Sequence, residues 1–433
     1  MTDRASRREW VLQCGKRYWP QDSRPVLTLP MPGLMLRDES PGKLVTVPLP
    51  DWAADIAVDG RLLAYAEAIV EKPQPEAWRR CDWIAVAWHM LTGSSERAFE
   101  AQHGPALSYA FRLPADMQPL FERAWVNRIF LFLRRWAARE SGLPEDALFG
   151  PPPTASIVLT HDVDAIRLTP EIRAKQVAFQ FANGARAVLG GRFDIVRNRL
   201  RDASRFAFGD GDLHTLERVR NIERAVGLRS ILHFYGGQPG LRRGSPRRLL
   251  IDPAYDIRSP YMREQLAALR DGGWTIGLHQ SFDAWADPAP MAVERKNVAE
   301  ATGAEIAHCR QHWLHFSWAA TWKAQVAAGL LCDSTLGFND RPGFRAGHAL
   351  RIQPWNFDRE TSMCIEAMPM LFMDSHFYDY ANADAPPVAG EMKRWLDEVR
   401  IVGGEISVNW HTHTITDAYG WGGGYEDLLG LLA

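Results

Sequence analysis

From residue 154 onward the chain repeats one rhythm: an amphipathic stretch, a glycine, then a short apolar run that ends in polar or charged residues. The stretch 223–227 precedes the run 230–235, 265–273 precedes 274–279, and 322–329 precedes 330–334. A helix closed by glycine and followed at once by a buried strand is the pattern of βα units in a parallel sheet. Further apolar runs near 156–161, 305–309, 364–368 and 405–410 bring the expected strands to about seven. Seven such units favour a closed or nearly closed (β/α) barrel, with a doubly wound open sheet as the alternative. Ahead of this region, Trp125 to Glu140 carries Ile129, Leu133 and Trp136 at helical spacing. That spacing predicts a helix leading to the stiff connector 150–153, Gly-Pro-Pro-Pro. The expected organisation is α/β, with an N-terminal accessory region over 1–150 and a barrel domain over 154–433.

In parallel α/β folds chemistry gathers at the carboxyl ends of the strands. The runs place Asp162, Asp164, His279, Arg310, Asp333 and His411 there. Alternation along an extended strand end puts Asp162 and Asp164 on one face, about 6.5 to 7 Å apart at the backbone. Two carboxylates this close repel unless a cation or an arginine compensates. Arg310 is such a partner, and a direct pair would hold Asp162 ionised. His279 closes its run, and Asp283 shares a face with it if the chain turns helical after the strand. His312 and His315 share a face if their segment is helical and oppose one another if it is extended. His411 ends the last run, where it could give a proton to a leaving amine.

Composition narrows the function. A formal charge of −2 supplies no general attraction for nucleic acid, so no nucleic-acid partner is expected. The local basic run Arg242-Arg243 with Arg247-Arg248 reads first as a solvated loop. Five scattered cysteines, none in a CxxC pair, suggest neither a disulfide framework nor a zinc knuckle. With no apolar signal core at the N-terminus and no membrane span, the expected location is the cytoplasm. The seventeen Trp divide between core and ligand surface, with at most roughly a third at a ligand.

At these residues the sequence resembles the polysaccharide deacetylase (NodB-homology) superfamily over about 154–433. Thr160-His161-Asp162-Val163-Asp164 resembles an Asp-x-Asp form of the family's first motif. The resemblance implies a distorted (β/α)7 barrel, with Asp162 as general base and Asp164 as metal ligand. His279 fits the first position of the family's His-x-x-x-His pair, Arg310 its third-motif arginine, and His411 its catalytic histidine. Where the family has its second histidine, this chain has Asp283. Three readings remain: Asp283 is the third ligand, His312 or His315 replaces it, or no metal is used. A site of Asp164, His279 and Asp283 would neutralise a divalent ion and tolerate harder metals as well as zinc. The implied activity is metal-dependent removal of an N-acyl group, acetyl or formyl, from an amino sugar in a surface (O-antigen-like) polysaccharide or its precursor. The alternatives are a metal-independent hydrolase of a small amide and a catalytically inactive carbohydrate-binding protein.

Overall fold

A computed structural model of the chain describes residues 2–38, 42–71, 76–105, 114–189, 193–209, 214–238, 251–379, 387–417 and 419–433. The basic run at 242–248 lies outside the described residues. Among the described residues, ten strands follow β1 (Leu44–Pro48) and β2 (Arg61–Tyr65) in chain order. They are β3 (Ser156–Val163), β4 (Ile231–Tyr235), β5 (Thr275–Gln280), β6 (His308–Gln311), β7 (Cys332–Asp333), β8 (Trp355–Asn356), β9 (Thr361–Ser362), β10 (Glu366–Ala367), β11 (Met370–Met373) and β12 (Glu405–Asn409).

Eight of these form one all-parallel sheet in the order β10-β7-β6-β5-β4-β3-β12-β11. Its two edge strands are separated by only two residues of chain. The segment 366–373 pairs with β7 through Glu366 and Ala367, and then with β12 through Met370 and Met373. Across the changeover, Met368 N donates to Asp333 O at 2.8 Å and Ser407 N donates to Pro369 O at 2.8 Å. One stretch of chain can serve both edges only if the sheet curls until the edges meet. The fold is therefore a distorted barrel whose β10 and β11 are two halves of one stave, so the eight strands make seven staves. The open doubly wound alternative is excluded by this ladder.

The glycines that close the helices lie where the sequence rhythm has them: Gly227, Gly273 and Gly329 have φ of +73°, +89° and +79°. Gly403 shows why no other residue suits such a turn. At φ +60° a Cβ there would lie 2.1 Å from the Pro153 carbonyl oxygen, so the turn entering β12 packs directly on the connector ahead of β3.

Before the connector, β1 and β2 form an antiparallel pair beside helices Thr2–Cys14, Trp83–Leu91 and Trp125–Ser141. Ile129, Leu133 and Trp136 are buried on the last of these. Residues of this region share a single apolar cluster with Phe316, Trp318, Trp322, Leu336 and Trp355 of the barrel. Thirteen of the seventeen Trp are buried, so the tryptophan richness belongs to the core and only the other four are available to line surfaces. At Gly93, with φ +60°, the Trp318 indole approaches so closely that a Cβ would lie 2.3 Å from it. Arg345 pairs with Glu96 at 2.8 Å, and Glu100 accepts from the Ser317 hydroxyl and from Trp318 N. These contacts brace the loops that follow β6 and β7. Among the described residues no helix is long and apolar enough to cross a membrane.

A second brace is a buried ion pair. Arg128 Nε and NH2 reach the two Glu398 oxygens at 2.8 and 2.6 Å, and Ala124 N adds a third donor. Removing one partner of a buried pair strands the other charge, which costs about 3–5 kcal/mol. Glu398→Gln should lower the unfolding free energy by about that much in urea titrations, while Arg128→Met with Glu398→Leu should recover most of it. Equal loss in the single and double variants would mean that shape, not stranded charge, governs this contact.

Candidate active site

Strand alternation places Val163 in the core and turns Asp162 and Asp164 to the barrel mouth. Asp162 sits at the end of β3 in register with His233 of β4. Arg310 NH1 donates to its Oδ1 at 3.2 Å, Asn409 Nδ2 donates to its Oδ2 at 3.2 Å, and His233 Nδ1 lies 3.3 Å away. Burial alone would raise this carboxyl, but Arg310, followed by His279 and His233, outweighs it and holds Asp162 well below the usual range. The same burial drives His233 down to about 3, so it stands neutral beside the anion.

Asp164 faces two histidines from neighbouring staves. Nε2 of His279 lies 3.2 Å, and Nε2 of His312 3.6 Å, from Asp164 Oδ1. On the far side of each ring, Nδ1 meets an acceptor: His279 Nδ1 meets Arg310 O at 3.0 Å and His312 Nδ1 meets Asp252 Oδ1 at 3.4 Å. A neutral imidazole that donates from Nδ1 has only a lone pair at Nε2. With both rings neutral, as metal ligation requires, two lone pairs and a carboxylate oxygen would face one place, and the three ligand atoms lie within 4.8 Å of one another. Asp164 Oδ1 and His279 Nε2 are both buried and have no hydrogen-bond partner outside this group. This donor set fits a divalent cation: two nitrogens and one carboxylate oxygen, each imidazole held by an outer acceptor, as ligating histidines usually are.

Opposite this group, His411 follows β12. Its Nε2 lies 3.7 Å from Asp164 Oδ2, and its Nδ1 is 2.6 Å from Asp374, which also accepts from His411 N and the Thr414 hydroxyl. Burial would discharge this ring, but Asp374, with Asp164 and Asp162 behind it, holds it protonated and pushes it up to about 10. Asp162, Asp164, His279, His312 and His411 line one polar basin of about 150 Å³, walled by Trp313, Tyr419 and Trp421.

The structure thus brings together Asp162, Arg310, Asp164, His279 and His411, and adds His312. It does not bring in Asp283. The helical face that would have joined Asp283 to His279 does not form: His279 is still on β5, Ser281 is extended, and Asp283 lies in the short 3-10 turn Phe282–Ala284. The residue grouped with Asp164 and His279 is instead His312, in the turn after β6. His315 turns away, its Nδ1 on Phe282 O at 3.0 Å. Asp333 is buried among Thr335, Trp322 and Gln325, and burial raises its carboxyl.

Four residues were missed by sequence reasoning: His233, Asp252, Asp374 and Asn409. His233 was open to the strand-end argument, since it lies in the run 230–235 beside Asp162. Asp374 was hidden because the run near 364–368 covers only the first half of the split stave, and the carboxylate follows the second half. Asn409 lacks a titratable group, and nothing local marks Asp252.

No family model and no curated protein matches the chain. Solved structures that are similar in fold include these three. One, described as a candidate polysaccharide deacetylase from Mycobacterium smegmatis, is 13% identical with a TM-score of 0.36, over 65% of this chain and 84% of that one. A second, described as a candidate polysaccharide deacetylase involved in O-antigen biosynthesis from Bordetella bronchiseptica, is 12% identical with a TM-score of 0.32, over 64% and 91%. The third, a mutant of a CE4-family pseudoenzyme with restored enzymatic activity, is 10% identical with a TM-score of 0.31, over 65% and 62%. The first two are described as polysaccharide deacetylases. At these scores they carry no argument about chemistry, which rests on the residues above.

The ligand geometry yields a direct expectation. Purified wild-type protein should retain a divalent metal after dialysis, His279→Ala and His312→Ala should each lose it, and Asp283→Asn should keep it, as read by elemental analysis. Retention in His312→Ala together with loss in Asp283→Asn would return the third ligand position to Asp283.

Proposed function

We propose that this protein is a metal-dependent amide hydrolase of the polysaccharide deacetylase type, which removes an N-acyl group from an amino sugar of a surface polysaccharide or its precursor. One observation carries the reading. A three-donor cation site stands between a carboxylate that is held ionised and an imidazole that is held protonated. That is the base–acid separation that amide hydrolysis requires, since water must lose a proton and the departing amine must gain one.

Asp164, His279 and His312 would hold the ion. Two imidazoles and one carboxylate leave a divalent ion with a net charge of +1, which favours zinc and acidifies water more than the neutral site with Asp283. When bound, it would supply Lewis-acid polarisation of the carbonyl and a lowered pKa for water. The chain's own residues carry the proton movements. Asp162 takes a proton from the attacking water. Arg310, Asn409 and His233 fix Asp162 in place. His411, oriented by Asp374, delivers a proton from Nε2 to the amine nitrogen as the C–N bond breaks. The Trp313, Tyr419 and Trp421 rings offer flat apolar faces on which a sugar can stack. Residues 1–150 act in this reading as an accessory region that braces the loops after β6 and β7.

The test is hydrolysis of N-acylated amino sugars by the metal-loaded protein, followed as release of primary amine. Asp162→Asn should reduce kcat by about 10²–10⁴, the usual worth of a positioned base. Full activity after chelation would instead support a metal-independent hydrolase, and sugar binding with no turnover an inactive carbohydrate-binding protein.

The pH profile tests the acid. His411 must be charged to donate, so activity falls as pH rises through its pKa. Asp374→Asn removes the strongest influence holding that proton, which lowers the pKa, and the basic limb of kcat should move to lower pH. A limb that stays in place would assign it to another group.

A further inference from the structure

We infer that the acyl group this site removes is longer than acetyl, and that its chain occupies an apolar cavity on the far side of Asp164 from the polar basin. The inference rests on the hydrolase reading above and concerns the substrate of that same site.

Asp164 lines two spaces. One is the polar basin already described. The other is a cavity of about 400 Å³ formed where the segment after β3 faces the segment after residue 251, with Ile166, Ile172, Ala254, Tyr255, Pro260 and Tyr261 in its wall. Its size falls in the range of small-molecule sites, roughly 300–1,000 Å³. It is far more than a methyl group needs, since a cavity of roughly 150 Å³ suffices for benzene.

Asp164 and the exposed Arg167 are charged members of this wall, and its other polar groups have hydrogen-bond partners. Tyr255 Oη donates to Val163 O at 2.9 Å and accepts from Tyr235 N, Tyr261 Oη donates to Glu217, and Asp256 accepts from Arg258. Ser259 Oγ and Thr169 Oγ1 each accept from a helix N–H, of Met262 and Ile172. What these residues leave facing the cavity is hydrocarbon and aromatic surface, unlike the basin with its carboxylates, histidines and Gln176.

Asp164 lines both spaces, so an amide held there would have each of them within reach. The nitrogen side, with the sugar hydroxyls, suits the basin, where His411 waits for the amine. The carbon side then points to the apolar cavity. The reaction is R–CO–NH–R′ + H₂O → R–COO⁻ + R′–NH₃⁺, with R the chain in the cavity and R′ the sugar. An acetyl methyl would need none of this space, because Leu314 and Met373 already offer a small apolar patch within the basin.

Two measurements decide the matter. The first uses glucosamine N-acylated with acetyl or butyryl groups and compares kcat/KM within each protein. The wild type should prefer butyryl by about fifteenfold, the equivalent of about 0.8 kcal/mol per methylene. In Ala254→Phe, which fills the cavity, the ratio should fall toward one; taking a ratio within each protein removes any difference in folded fraction. The second is independent of the sugar and of turnover. Calorimetry of the metal-loaded protein should find octanoate bound at least tenfold more tightly than acetate, and Ala254→Phe should erase the difference. Acetyl hydrolysed as well as butyryl, or octanoate bound no better than acetate, would overturn the inference and leave the deacetylase reading intact. Hydrolysis of no N-acyl sugar, with octanoate bound tightly, would overturn the deacetylase reading while keeping the cavity as an acyl-chain site.

Discussion

A guanidinium in the middle of a barrel is the constraint around which the rest of this molecule is arranged. Arg310 is fully buried, so its charge must be met from within. It donates from Nε to Ser334 O at 3.0 Å, from NH1 to Thr160 Oγ1 at 2.8 Å and to Asp162 Oδ1 at 3.2 Å, and from NH2 to Ser407 Oγ at 3.4 Å. These partners belong to β3, β12 and the turn after β7, while Arg310 itself is on β6. One side chain thus joins four sectors of the barrel wall. Its charge also favours Asp162 as an anion in the resting site. The geometry that makes Asp162 a fixed carboxylate is therefore part of the barrel's own electrostatics, and the chemistry at the mouth is built on a charge that the fold already needs.

The neighbouring acid obeys a different logic. Asp164 is two residues further along the same face, beyond the end of β3, and is partly accessible where Asp162 is not. It meets two imidazoles rather than an arginine. Two like carboxylates on one strand end thus reach opposite conditions, one compensated by the protein and the other left for a ligand. His411 completes the division, since Asp374 and Asp164 together favour its charged form. The three ionised groups differ in role because they differ in what lies behind them.

Much of this was legible in the sequence. The rhythm of amphipathic stretch, glycine and apolar run gave the staves, because in a parallel barrel each helix must end before a strand buried on both faces can begin. The strand-end argument reached Asp162, Asp164, His279, Arg310 and His411, because period-two alternation and the polarity of βα units are local rules. It stopped where local rules stop. His312 turns inward because Trp313 and Leu314 both take left-handed backbone, with φ of +54° and +49°, which is neither the helix nor the strand that face arguments assume. Asp374 was lost to a stave that changes partners midway, a feature visible only once both partners are in place. The tryptophans, counted as candidates for sugar contact, are mostly absorbed by the long shared cluster between the first 150 residues and the barrel.

That shared cluster bears on how the chain comes to be folded. Trp10 and Trp88 pack against Trp355 with ring centres 5.6 and 5.5 Å apart, and Arg128 finds Glu398 across 270 residues of sequence. During synthesis the early helices emerge long before the surfaces that cover them. Their indoles must remain exposed, or be sheltered by another protein, until the later staves are made. Contacts of such long range are slow to form and leave apolar surface open to aggregation meanwhile. The vulnerable period of this molecule is its birth, and a chain halted before β8 would carry a sticky, unfinished face.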